Sequence, residues 1–180
     1  MLIPKTELIY PTASLFCAIV GAVYDVRSRK IPNFVTFSSL LFGMILHFTL
    51  GGWRQLASAT AAAIICGFVF LIFYLSGGMG AGDVKLIAAV GCVAGLSLVG
   101  PLLLWTSIIG GVMAIAIALS QGKLTETMQN MKTLVNHHKG EGLTPHPEFN
   151  VQNPRSLRLP YALAIAAGTA LSLCFMSGQR

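Results

Sequence analysis

Six apolar runs divide the chain, at about 8–24, 34–50, 56–75, 84–98, 102–119 and 159–176. A helix that crosses a bilayer needs about 17–25 largely apolar residues, so each run reads as a membrane span. Several sit near the short end of that range, and the run at 84–98 is marginal. The first run is too long for the apolar stretch of a secretory signal, no A-x-A cleavage pattern follows it, and five more runs come after; it is read as a retained span. One polar stretch is long, 121–157, and is expected on the cytoplasmic side. Within it Leu124, Met128, Met131 and Val135 recur at helical spacing, with Lys132 and Asn136 among the polar positions. That pattern fits either a short amphipathic helix on the inner leaflet or an ordinary solvated loop helix. The expected architecture is all-α, a polytopic membrane protein of about six transmembrane helices in a single domain over 1–180.

Composition removes the soluble alternatives. Of 180 residues, 54% are hydrophobic and 10% charged, whereas soluble domains carry about 25% charged residues. The pI near 9.4 would suggest nucleic acid in a soluble chain; here it reads as topology, and membrane lipid, not nucleic acid, is the expected partner. With the N-terminus outside, the inner side collects Arg27, Arg29, Lys30, Lys85, Lys123, Lys132, Lys139, Arg155 and Arg158, against Lys5, Arg54 and Arg180 outside. Nine against three follows the positive-inside rule and places the chain as a multi-pass protein of the cytoplasmic (inner) membrane.

Metal and cofactor chemistry finds no support in the pattern. Cys17, Cys66, Cys92 and Cys174 each lie in a different apolar run and form no C-x-x-C pair, so they read as small core residues. His137, His138 and His146 cluster in the polar stretch, but no acid or cysteine completes a ligand spacing. His47 reads as an interfacial or packed side chain.

The acidic residues are more informative. There are six, and only Asp25 and Asp83 are aspartates. Glu7 lies near the N-terminus, and Glu126, Glu141 and Glu148 lie in the polar stretch. Asp25 ends the first run in "GAVYDVRSRKIPN", and Asp83 opens the fourth in "GMGAGDVKL". With six spans, both fall at the cytoplasmic face. Each alone reads equally well structurally: Asp25 as a partner of Arg27 or Arg29, Asp83 as a helix N-cap after a glycine turn. Together they favour chemistry. Two carboxylates sharing a site tend to hold one proton, so that one takes a proton from water while the other donates to a scissile carbonyl. A helix N-terminus favours charge on Asp83 and a helix C-terminus disfavours it on Asp25. Helix position therefore makes Asp83 the base and Asp25 the proton carrier.

The glycines around Asp83 do not form a Walker A loop, which requires G-x-x-x-x-G-K-[ST]. They do not form a dinucleotide fingerprint either, because no strand precedes them and an acid occupies the helix start. They are expected to allow unusual dihedrals and close backbone approach to Asp83. Gly91 and Gly95 form a G-x-x-x-G that permits close helix packing.

"GAGD" followed by Val84 and Lys85 resembles the G-x-G-D-x-K signature of the type IV prepilin peptidases, a family of membrane aspartyl proteases. Asp25 followed by "VRSRKIPN" is similar to that family's other motif, and "LPYALAIAAG" at 159–168 to the start of its last span. The resemblance covers nearly the whole chain, with the two aspartate motifs about sixty residues apart. It implies cleavage of a short basic leader from prepilin or pseudopilin precursors on the cytoplasmic side, typically after a glycine. It carries Asp25 and Asp83 over as the catalytic pair, Gly80 and Gly82 as motif glycines, and Lys85 as a motif residue without an assigned role. Larger family members have paired C-x-x-C motifs linked to N-methylation; this chain opens almost directly on an apolar run and lacks them, so methyl transfer is not expected. Its compact size resembles the peptidase-only members serving Flp/Tad-type pili, with the preflagellin peptidases as relatives. The rival classes are a small ion- or proton-coupled transporter, which calls for acids at mid-membrane depth and repeated halves, and a non-catalytic membrane assembly factor. Neither the pilin nor the oligomeric state is legible in the sequence.

Overall fold

A computed structural model describes residues 5–76, 78–122, 133 and 160–178. Helix α1, Lys5–Ser28, closes at Arg29, whose φ of 50° is the one positive value at a non-glycine among the described residues. Its N–H returns to the Asp25 carbonyl at 2.7 Å, the left-handed closure by which helices often end. The next break comes from Pro32: the residue before a proline is turned away from helical dihedrals, so Ile31 cannot continue a helix. Pro32 itself is extended (φ −63°, ψ 140°) and caps helix α2, Asn33–Leu75.

The 43 residues of α2 would measure about 65 Å if straight, over twice the ~30 Å hydrocarbon core. The helix does not run straight. Gly52 has φ 67° and ψ −161°, a region open in practice to glycine alone. The arms 33–51 and 53–75 return beside helix α3, Ala81–Ala94. A Cβ at Gly43 would meet the Val93 side chain at 2.9 Å, and one at Gly91 would meet Cys66 Sγ at 2.6 Å. Positions on either side of Gly52 thus reach one level of α3, and α2 is a hairpin that supplies the second and third expected runs.

Helix α3 stops at Ala94, one residue before Gly95 (φ 81°), and a 3-10 turn at Leu96–Leu98 leads into α4, Val99–Ser120. Helix α5 is Tyr161–Gly178. It lies antiparallel to α4, with Gly110 against the Tyr161 ring and Gly168 against Thr106; small residues at such crossings let the backbones approach. Helix α1 runs antiparallel to α3: Gly21 faces Leu86, while at the other end Tyr10 stacks on His47 with ring centroids 4.1 Å apart. Among the described residues six rods of alternating direction result, counting each arm of α2, and no strand occurs.

Three helical stretches are long and apolar enough to cross a membrane, Leu8–Ser28, Asn33–Leu75 and Leu96–Ser120, and α5 adds the shorter Tyr161–Phe175. The marginal run at 84–98 forms a helix of 14 residues, about 21 Å long and short for a span. It is the centre of the bundle instead, with Leu86, Ile87, Val90, Cys92 and Val93 wholly buried, as befits a helix apolar on every side. Outward lie Phe34, Trp53 and Phe16, 78%, 74% and 69% exposed. Such a belt suits hydrocarbon, not water.

Cys17, Cys66 and Cys92 are core residues as expected, but Cys174 is exposed; it sits on an apolar helix in which outward-facing thiols need no burial. His47 is packed, with Nε2 3.2 Å from the Val93 carbonyl. The stretch 124–135 lies, Thr133 apart, outside the described residues, as do His137, His138 and His146.

Candidate active site

Gly80 is the N-cap of α3 (φ −82°, ψ 148°), and Asp83 is the third residue of the helix. The Asp83 N–H donates to the Gly80 carbonyl at 3.2 Å, and the Gly80 N–H donates back to the Asp83 carboxyl. The first is an ordinary first-turn backbone bond; the second is the half of a capping box that the third helical residue supplies, glycine having no side chain to return it. Asp83 therefore does satisfy the helix terminus, from the third position and not as the N-cap itself. A Cβ at Gly80 would lie 3.2 Å from Asp83 Oδ2, so the missing side chain leaves room for the carboxyl. Gly82 has a different neighbour: a Cβ there would rest 3.4 Å from Ile31 Cβ. The expected unusual dihedrals are absent at Gly78, Gly80 and Gly82; among the described residues the positive-φ glycines are Gly52, Gly95 and Gly122. Gly77 lies outside the described residues. Here the glycines provide space, not left-handed backbone. Of the G-x-x-x-G, Gly91 packs closely on Cys66, whereas Gly95 ends α3 beneath His47.

Asp25 occupies the last turn of α1 at the same end of the bundle. Its carboxyl accepts a hydrogen bond from the Ala162 N–H, one of the amides that a helix start leaves without an intrahelical partner. Its Oδ2 is buried and has no hydrogen-bond partner among the described residues. Arg27 and Arg29 are exposed, and neither forms an ion pair with Asp25 among the described residues, so the simple salt-bridge reading of Asp25 does not hold.

The two carboxyls feel each other. Asp83 lies outside the three long candidate spans, and burial, followed by the Asp25 charge, pushes its carboxyl up to about 7 against the Gly80 N–H, which pulls it down. Helix position alone placed the charge on Asp83. Burial and a like charge outweigh the helix terminus there, because desolvation penalises the ionised form directly. Tyr161, half-buried at the start of α5, also lies within reach of the Asp83 charge, and its ring meets Phe70 edge-on at 5.7 Å between centroids.

Lys85 points away from this pair: its Nζ donates to Asn33 Oδ1 at 2.9 Å. The structure thus brings together Asp25, Asp83, Gly80 and the first turn of α5, while Gly82 and Lys85 face the Ile31–Pro32–Asn33 turn. Three participants were not singled out from the sequence: Asn33, Tyr161 and the Ala162 N–H. The "IPN" and "LPY" patterns held the only signal for them, and neither pattern says what it touches.

The model of the type IV leader peptidase family matches residues 12–115, more than half of the chain and both aspartates. The chain belongs to the type IV leader peptidase family. A prepilin leader peptidase/N-methyltransferase of Neisseria gonorrhoeae is 32% identical over 107 residues, 55% of this chain and 37% of that protein. A preflagellin peptidase of Methanocaldococcus jannaschii is 32% identical over 80 residues, 42% of this chain and 33% of that protein. A prepilin leader peptidase/N-methyltransferase of Bacillus subtilis is 26% identical over 174 residues, 94% of this chain and 56% of that protein. The chain spans between about a third and just over half of the length of these relatives. No solved structure matches. In this leader peptidase family member, the family match ends within α4, so the α5 residues facing the two aspartates lie beyond it.

Proposed function

We propose that the chain is an aspartic endopeptidase of the cytoplasmic membrane that removes the leader from prepilin- or pseudopilin-type precursors. The observation that carries this reading is the coupling of Asp25 with Asp83, the chain's two aspartates, at one end of the bundle. Asp83 holds the shared proton and Asp25 is the base, the reverse of the division that helix position suggests. Asp25 takes a proton from the attacking water while its carboxylate is met by the Ala162 N–H and the positive end of α5. Asp83 donates its proton to the scissile carbonyl oxygen, and the pair titrates as a unit. No covalent intermediate is required.

The active site faces the cytoplasm. In support, Arg27, Arg29, Lys30 and Lys85 lie at the aspartate end, while Arg54 lies beside the Gly52 hairpin at the other, the asymmetry expected of cytoplasmic and outer faces. A transporter is disfavoured because both acids lie within a turn or so of helix ends at one face. Co-expression with a prepilin precursor tests the reading: wild type shortens the precursor, and Asp25→Asn and Asp83→Asn leave it at full length. Full processing by either variant removes that aspartate from the mechanism. A preflagellin precursor in the same assay separates the alternative substrate that the archaeal relative raises.

A further inference from the structure

The turn after Asp25 is short and fastened at both ends. It starts at the Asp25 carbonyl itself, which accepts from the Arg29 N–H at 2.7 Å. The Ser28 hydroxyl braces it, lying 2.7 Å from the Tyr24 carbonyl and 2.9 Å from that of Lys30. Pro32 then fixes the backbone as α2 begins. At its far end the turn touches α3 twice. Ile31 packs on Gly82, and the Asn33 amide oxygen accepts from Lys85 Nζ at 2.9 Å across 52 residues of sequence. Positions 82 and 85 are one helical turn apart and share a face; Asp83 lies on another.

We propose that the Lys85–Asn33 hydrogen bond is a positioning clamp that sets the separation of Asp25 and Asp83. The proposal rests on the peptidase reading and assigns Lys85 a role in it. The ammonium acts on the helix that carries Asp83, drawing its first turn onto the segment that leaves Asp25. Ile31 against Gly82 is the apolar half of the same clamp, and either contact alone leaves the first turn of α3 free to pivot about the other. Lys85 and Asn33 are both exposed, so their removal leaves the buried core of α3 intact.

Selective labelling makes the test direct, because Asp25 and Asp83 are the only aspartates in the chain. Carboxyl-13C aspartate in the purified full-length protein gives two carboxyl signals, whose titrations report on the pair without substrate. The charged or titratable groups facing Asp83 are Asp25 from α1 and Tyr161 from α5. Asn33→Leu changes no charge. It is expected to lower the Asp83 titration, because Asp25 moves away, and to reduce kcat on a prepilin precursor about three- to tenfold with KM little altered. Lys85→Met separates the two explanations of Lys85. Loss of a nearby positive charge alone would raise the Asp83 titration, whereas loss of the clamp lowers it. Asn33→Asp and Lys85→Arg keep a donor and an acceptor in place and are expected to retain wild-type kcat, and the double variant Lys85→Met/Asn33→Leu is no worse than either single one.

Unmoved titrations in Asn33→Leu, or losses that multiply in the double variant, overturn the clamp. Failure of the peptidase reading is distinct: Asp25→Asn and Asp83→Asn would then process the precursor normally, whatever the clamp variants do.

Discussion

The Ala162 N–H donates to the carboxyl of Asp25, so the last helix of the chain completes a site built by the first and the fourth rods. Tyr161, the residue before it, wedges α5 against α4 and the second arm of α2, its hydroxyl against Gly110 and its ring against Phe70. The site is therefore a product of helix packing, and changes remote from the aspartates can disable it.

Gly110→Ala is the clearest such change. An added Cβ would stand 2.6 Å from the Tyr161 hydroxyl and 2.8 Å from Cζ, and the ring, packed edge-on against Phe70, has to move with its helix. Helix α5 must shift, carrying the Ala162 N–H from Asp25. Loss of one hydrogen bond to a charged group costs about 1.5–3 kcal/mol, roughly ten- to a hundredfold in kcat. Steady-state cleavage of a prepilin precursor checks this, with Gly111→Ala as the control, since a Cβ at Gly111 meets nothing within 4 Å.

Gly80→Ala and Gly82→Ala separate the two motif glycines. At Gly80 the new methyl lies 3.2 Å from Asp83 Oδ2 and turns the carboxyl, whereas at Gly82 it makes an ordinary 3.4 Å contact with Ile31. The expected outcome is a kcat loss of about tenfold or more for Gly80→Ala and a much smaller one for Gly82→Ala. Thermal unfolding of both proteins in detergent should differ far less than their rates.

The pH profile follows from Asp83. Its carboxyl is pushed up to about 7, so below that pH it is protonated and the pair holds its shared proton. As pH rises through about 7 the proton is lost, both carboxyls are charged and cleavage falls. The alkaline limb of kcat/KM should thus lie near neutrality, well above the ordinary carboxylate range of about 4. In Asp25→Asn the neighbouring charge is gone; the Asp83 titration, followed by infrared or NMR, should move down yet stay raised, because burial is the larger cause.

Much of this was legible in the chain. Each apolar run falls on a helical rod among the described residues, and an even number of them separates the end of the first from the start of the fourth, which puts Asp25 and Asp83 at one end. The marginal fourth run was a true signal: α3 is short because it is the buried centre, ending at Gly95, and is not required to be long enough to span alone. Other features depend on contacts between distant segments. Nothing in "IPN" announces that Asn33 will meet Lys85, and the position of Asp83 in its helix argues for charge until its burial is known. Cys174 looks like Cys66 in a hydropathy pattern, yet one faces outward and the other the core. Periodicity finds rods; it does not say which side of each rod faces its neighbours.

The most direct test of the central claim is single-turnover cleavage of a purified prepilin precursor by wild type, Asp25→Asn, Asp83→Asn and the double variant. If the two carboxyls share one proton and act as one group, each single change costs at least about a hundredfold, and the double variant is no slower than the singles. A single variant that keeps the wild-type rate, or losses that multiply in the double variant, would contradict it.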